Sequence, residues 1–193
     1  IAYGIREKKP KEELGLIYSR INNPNLEILE NRLCLWDKAD DCAVFESGMS
    51  AISTVLLEFL SPGDLLVYSN PLYGGTDHFI NHLLNKIGIH TLDIFQGESC
   101  NEIINKINKT GKSNKLRMIY LETPANPTNS LLDIENIKLK VANYFTAENK
   151  KEVLLAVDNT YMGPLWQHPL QLGADLILYS ATKYIGGHSE LIA

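Results

Sequence analysis

Five short apolar runs recur along the chain, and segments with helical spacing separate most of them. The runs are Leu65 to Tyr68, Ile89 to Phe95, Leu116 to Leu121, Val153 to Val157 and Leu176 to Tyr179. Ahead of the first run, Ile52, Val55, Leu56, Phe59 and Leu60 share one helical face, until Ser61-Pro62-Gly63-Asp64 stops the helix. Phe79, Ile80, Leu83, Leu84 and Ile87 form a second face ended by Gly88; Ile134, Ile137, Val141 and Phe145 form another. A weaker helical segment is expected near Ile103 to Ile107. Strands apolar on both faces, alternating with helices, predict a mostly parallel sheet covered on two sides, an α/β fold.

Composition narrows the class further. The 193 residues are 45% hydrophobic and 21% charged, enough apolar content for a real core and too little charge for disorder. A net charge of −5 argues against nucleic acid or an anionic membrane surface as a partner. No apolar run approaches the roughly 18 residues of a membrane span. Cys34, Cys42 and Cys100 are odd in number and scattered, which predicts reduced thiols and a cytoplasmic protein. Residues 1–45 carry mixed charge and few strand signals. They are expected to form an N-terminal arm and a helix from Asn25 to Trp36, packed on a neighbouring subunit rather than on this sheet. Residues 46–193 are expected to form the α/β domain, incomplete at its C-terminal end because a new apolar run begins at Leu191.

Ligands of parallel sheets gather at the carboxyl ends of the strands, and there the polar, conformationally special residues concentrate. The loops are Asn70 to Gly75, Glu122 to Pro127, Asp158 to Tyr161 and Ser180 to Lys183. Lys183 follows Ser180 and Thr182 at a strand end. An arbitrary lysine there is a surface residue, but in a partly desolvated site its amine can condense with an aldehyde. Asp158 ends the fourth apolar run; alone it reads as a cap, yet it is also placed to pair with a protonated pyridine nitrogen. Ser47-Gly48-Met49-Ser50 precedes a helix, where a simple serine cap and an anion-binding helix N-terminus are both consistent with the residues. Ser180 and Thr182 add hydroxyl donors, and Tyr73 an aromatic face. Together these are the parts that pyridoxal 5′-phosphate (PLP) requires.

Tyr18 to Pro24, Ser47 to Ile52, Tyr73 to Thr76, Glu122-Thr123-Pro124-Ala125-Asn126-Pro127, Asp158-Asn159-Thr160 and Ser180-Ala181-Thr182-Lys183-Tyr184-Ile185-Gly186-Gly187-His188 occur in that order. This pattern resembles the Cys/Met-metabolism family of PLP-dependent enzymes, which includes cystathionine γ-synthase, cystathionine γ- and β-lyases and methionine γ-lyase. The resemblance implies a PLP fold type I (aspartate aminotransferase-like) large domain whose C-terminal domain lies outside this chain. It implies that Lys183 carries the cofactor as a Schiff base and shuttles protons. Asp158 would bind the ring nitrogen, and Tyr73 would stack on the ring and act in acid–base steps. Gly48, Met49, Ser180 and Thr182 would hold the phosphate, and Asn126 the ring hydroxyl oxygen. Tyr18 and Arg20 would reach the phosphate of a neighbouring subunit's cofactor, so a homo-oligomer, a dimer of dimers, is implied.

The implied activity is trans-sulfuration on an amino-acid substrate: γ-replacement or γ-elimination on sulfur amino acids or O-acylhomoserine. C–S lyase chemistry or a non-catalytic truncated relative are the alternatives. Methionine γ-lyases usually carry Cys where this chain has Gly75, and the substrate-carboxylate arginine of the family lies in its C-terminal domain. His78 and His82 sit four residues apart without an evident third ligand, so no metal site is expected.

Overall fold

The computed structural model describes residues 23–193. Tyr18 and Arg20, and with them most of the expected arm, lie outside the described residues. Helix α1 (Pro24–Asp37) opens on an Asn23 cap, and α2 (Gly48–Phe59) on a Ser47 cap whose hydroxyl accepts the Ser50 N–H. Strand β1 (Leu65–Asn70) follows, then α3 (Gly74–His78), which runs on through a π-helical stretch, Phe79–Leu84, and a last tight turn, Asn85–Ile87. Gly88, at φ 85°, ends that run in the left-handed conformation glycine tolerates best. Next come β2 (His90–Phe95), α4 (Cys100–Lys109), β3 (Leu116–Glu122), and a helix that begins at α5 (Ile134–Asn136) and continues through Ile137–Ala142 into α6 (Asn143–Asn149). Strand β4 (Leu154–Asp158), the short α7 (Gly163–Trp166) and β5 (Leu176–Leu178) complete the order.

The five strands form one sheet, β2-β1-β3-β4-β5, with every neighbouring pair parallel. The chain steps from β1 to β2 on one side, then returns to place β3 on the other, so the topology switches direction between β1 and β3. Side chains alternate faces along each strand. Leu66, Tyr68, Met118, Tyr120, Leu154, Ala156, Leu176 and Leu178 pack under α2 and under Ile80 and Leu84 of the stretch that continues α3. Leu65, Val67, Leu116, Ile119, Leu121, Val153, Leu155 and Val157 pack on α4 and the 134–149 helix. The doubly covered parallel sheet is the one the apolar runs imply.

Three local differences from the sequence reading have physical causes. Apart from the buried Ile94, β2 is half-buried and ends on an exposed Phe95: it is an edge strand with a neighbour on one side only, whereas the other edge, β5, is buried with Leu33 of α1 packed against it. α4 is a full ten residues and not a weak segment: Ser99 and Glu102 form a reciprocal capping box at its start. α1, expected on a neighbouring subunit rather than on this sheet, packs in part on this chain's own sheet edge, where Leu33 joins Ile177, Tyr179 and Ala181. The anchor is polar as well: the buried Asp37 carboxylate accepts the Tyr179 hydroxyl at 3.0 and 3.1 Å. Ile28, Leu35 and Trp36 on the same helix are exposed.

Candidate active site at the carboxyl ends of the strands

The row that reads Met118, Tyr120 on β3 continues to Glu122, and the row Leu154, Ala156 on β4 continues to Asp158. The register pairs Glu122 with Asp158, so two carboxylates lie side by side where the sheet ends. Asp158 is 5% exposed. Its Oδ1 accepts the Thr160 N–H at 3.0 Å and its Oδ2 the Tyr120 hydroxyl at 3.4 Å. Burial raises its pKa against those hydrogen bonds. Both donors are neutral, so a cationic N–H against this carboxylate would offset its desolvation.

Glu122 is 7% exposed and faces the same space. Its Oε2 accepts the Tyr73 N–H at 2.6 Å and its Oε1 the Asn126 N–H at 3.2 Å. Desolvation first, then the Asp158 charge, push its pKa up to about 7 despite those two bonds.

A cavity of about 650 Å³ opens here, a size suited to a small phosphorylated molecule. Each described residue that the sequence assigned to the cofactor lines it: Gly48, Met49, Tyr73, Asn126, Asp158, Ser180, Thr182 and Lys183. At the head of α2, Ser47 satisfies the N–H groups of Ser50 and Ala51, while those of Gly48 and Met49 have no intrahelical acceptor. Gly48 has to be glycine for close approach: a Cβ there would sit 2.8 Å from Ser180 Cβ and 3.1 Å from Ser180 Cα. That contact brings the positive end of a helix against the β5 loop, a cradle for an anion. Tyr73 is half exposed and its ring lies against Gly75, where a Cβ would come within 2.7 Å of Tyr73 Cε1.

Lys183, on the turn after β5, is exposed and lines the same cavity. That turn is held by Lys183 N–H to Ser180 O at 3.1 Å and Gly187 N–H to Lys183 O at 2.8 Å. The Thr182 and Ser180 hydroxyls both donate to the Ala193 carbonyl, at 3.1 and 3.4 Å, since hydroxyl donors take whatever acceptor is near. The His78 and His82 rings lie with centroids 4.4 Å apart and planes tilted by 34°. Among the described residues no group of three or more His, Cys, Asp or Glu is placed to hold a metal, and no helix is long and apolar enough to cross a membrane.

Sequence reasoning missed a second tier of residues, Glu122 and a buried network behind Asp158. In that network Asn159 Nδ2 donates to the Tyr179 hydroxyl at 3.0 Å and to Gln167 O at 2.9 Å, while Gln167 Nε2 donates to Asn159 Oδ1 and Thr123 O, each at 2.8 Å. It links the loops after β3 and β4 to the Tyr179–Asp37 pair. The available signal was polar residues adjoining buried strand ends, where an unpaired polar group is costly.

A lysine, a buried carboxylate and a helix N-terminus that starts at a glycine meet around one cavity at the carboxyl ends of a parallel α/β sheet. The chain belongs to the Cys/Met metabolism PLP-dependent enzyme family, whose model it matches over residues 2–193. It is 38% identical over 182 residues to L-methionine gamma-lyase of Treponema denticola, covering 94% of this chain and 43% of the relative. To human cystathionine gamma-lyase it is 33% identical over 187 residues, covering 97% and 43%. Among solved structures it resembles metB from Corynebacterium glutamicum (TM-score 0.81, 33% identity, 98% of this chain, 46% of that one). It also resembles the Lactobacillus plantarum cystathionine gamma-lyase complexed with L-serine (TM-score 0.80, 31% identity, 98% and 46%). The domain therefore has the type I fold of PLP enzymes. The chain spans less than half the length of these relatives.

Proposed function

We propose that this chain supplies the cofactor-binding part of a PLP-dependent trans-sulfuration enzyme of the cystathionine γ-synthase-like family. Its reaction would be γ-replacement or γ-elimination on a sulfur amino acid or O-acylhomoserine. The observation that carries the reading is the single cavity in which Lys183, Asp158, Tyr73 and the head of α2 meet. The residues fit PLP: a buried carboxylate for the ring nitrogen, a helix N-terminus for the phosphate, and an amine for the aldehyde.

When bound, PLP supplies an electron sink for the charge left as protons leave the substrate carbons. The rest falls to the chain. Lys183 Nζ would hold the aldehyde carbon and, once displaced by the substrate amine, take the Cα proton. Asp158 would keep the ring nitrogen protonated. Tyr73 would cover one face of the ring, with its hydroxyl available to the leaving group. Gly48 and Met49 N–H groups, with the Ser180 and Thr182 hydroxyls exchanged from Ala193, would hold the phosphate. Asn126 would bind the ring hydroxyl oxygen. Tyr18 and Arg20 would serve a neighbouring subunit's phosphate in a homo-oligomer, a dimer of dimers, located in the cytoplasm.

A C–S lyase reading, with cleavage to a keto acid, ammonia and a thiol, is favoured by the relatives named methionine and cystathionine gamma-lyase. Borohydride reduction of the PLP-loaded protein, digestion and mass spectrometry test the class: the pyridoxyl adduct is expected on Lys183, and its presence elsewhere or nowhere refutes the assignment. Products from O-acylhomoserine plus cysteine, from cystathionine and from methionine separate synthase from lyase.

A further inference from the structure

The switch point between β1 and β3 poses a mechanical problem. The loop after β1 leads to α3 on one face of the sheet, and the loop after β3 leads to the 134–149 helix on the other. Tyr73 stands on the first loop and Asn126 on the second, and chain connectivity does nothing to keep them together. Glu122 spans that gap. Its backbone N–H is fixed by the Ser69 hydroxyl of β1 at 2.8 Å, and its two carboxylate oxygens accept one loop N–H each, Tyr73 at 2.6 Å and Asn126 at 3.2 Å.

We propose that Glu122 is a positioning residue: its carboxylate clamps the Tyr73 turn to the Asn126 turn, so that the aromatic platform and the amide donor are presented to the cofactor as one unit. This rests on the PLP reading for what the two turns touch, but the clamp belongs to the ligand-free chain. A carboxylate accepts at both oxygens, whereas a protonated carboxyl turns one oxygen into a donor and loses an acceptor. The clamp therefore tightens as Glu122 ionises, which its pKa of about 7 places near neutrality. The titratable groups that face it are Asp158 on β4, Tyr120 on its own strand, and Tyr73, Tyr161, Lys183 and Tyr184 around the cavity.

Hydrogen exchange read by mass spectrometry on the segments holding Tyr73 and Asn126 tests this in the PLP-free protein, with rates corrected for intrinsic pH dependence. Wild-type protection in these segments is expected to rise between about pH 6 and about pH 8. E122Q, with one acceptor oxygen and an added donor, is expected to lose roughly tenfold or more protection in at least one segment and to be flat with pH. S69A, which leaves the carboxylate in place, is expected to keep the pH dependence. Wild-type protection that stays flat with pH, or E122Q protection equal to wild type in both segments, overturns the clamp. The two failures are distinguishable: a pyridoxyl adduct on Lys183 forms whether or not the clamp exists, and the exchange difference survives if PLP does not bind.

Discussion

In β3 and β4 the residues Met118, Tyr120, Leu154 and Ala156 are buried under α2 and the stretch that continues α3, whereas the next residue of each row, Glu122 or Asp158, is a buried carboxylate. One step along a strand separates the body of the sheet from its rim. The body is held by non-directional burial, in which shape matters and the particular apolar residue matters less. The rim is held by individual hydrogen bonds, each with a named donor, and burial there raises the cost of the charged form. The body supplies the rigidity that lets the rim keep two like charges adjacent. Changes to the body should therefore register as lost stability, and changes to the rim as lost chemistry.

The largest expected effect is at the rim. Asp158→Asn keeps the shape and the acceptor for the Thr160 N–H but removes the charge that would keep the ring nitrogen protonated. Turnover should fall roughly 10²–10³-fold, as when a charge-stabilising group is deleted, while the denaturation midpoint shifts little. Steady-state kinetics beside a denaturant titration measure both; unchanged turnover would remove Asp158 from the role assigned to it. In the body, Leu66→Ala opens a cavity at a fully buried site between the sheet and α2, and should cost about 2–5 kcal/mol of unfolding free energy. The folded fraction should still form the Lys183 adduct. If instead the adduct is lost while the fold persists, body and rim are coupled more tightly than their contacts imply.

Much of the body was legible from sequence, because hydrophobic period reports burial directly: the runs that became β1, β3, β4 and β5 and the helical faces around Val55 and Val141 recur largely as buried residues, whereas of the face around Leu84 only Ile80 and Leu84 are buried and Leu83 and Ile87 are exposed. The rim was legible by residue type. Lys183, Asp158, Tyr73 and the Ser47–Met49 turn stood out as unusual chemistry at strand ends, and they meet in one cavity. What periodicity cannot carry is register. Glu122 matters because it pairs with Asp158 across a ladder and reaches two loops, and α1 is anchored because Asp37 meets Tyr179 at a separation of 142 residues. The edge position of β2 likewise follows only from strand order.

The rim should also leave a mark on stability. The Glu122 pKa rises on folding from 4.5 to about 7, so the folded state binds this proton more tightly than the unfolded state. Its contribution is fully present below about pH 4.5 and is lost as pH rises to about 7, a fall of roughly 3 kcal/mol. Asp158, raised in the same direction, adds to the slope. Denaturant titrations across that window should show the decline in wild type and a shallower one in E122Q; a wild-type stability that climbs through the window would contradict the burial-driven shift. Ionised Glu122 thus strengthens its local bonds to the Tyr73 and Asn126 turns while lowering the stability of the whole fold, a division that an apolar residue in the body has no means to show.

The smallest expected effect sits where body and rim touch. Gly48 belongs to α2, whose apolar face covers the sheet, and also to the anion cradle beside Ser180. A methyl group at Gly48 would meet Ser180 Cβ at 2.8 Å and its Cα at 3.1 Å, and the Cα cannot rotate out of the way. Gly48→Ala should therefore push the head of α2 from the β5 loop at a cost of about 1–3 kcal/mol, the usual range for overpacking. Alanine's better helix propensity, worth about 1 kcal/mol, works in the opposite direction. The net change in the unfolding midpoint should be small, and PLP affinity should fall more than stability does, because the N–H groups of Gly48 and Met49 move with the helix head. Ser180→Gly alone loses the hydroxyl assigned to the phosphate and should itself lower PLP affinity, but it also removes the Cβ at 2.8 Å, so Gly48→Ala should cost less affinity in the Ser180→Gly background than in wild type. A smaller effect in that background separates a steric wedge from a general loss of folding, since a merely unstable protein would gain nothing from a second glycine.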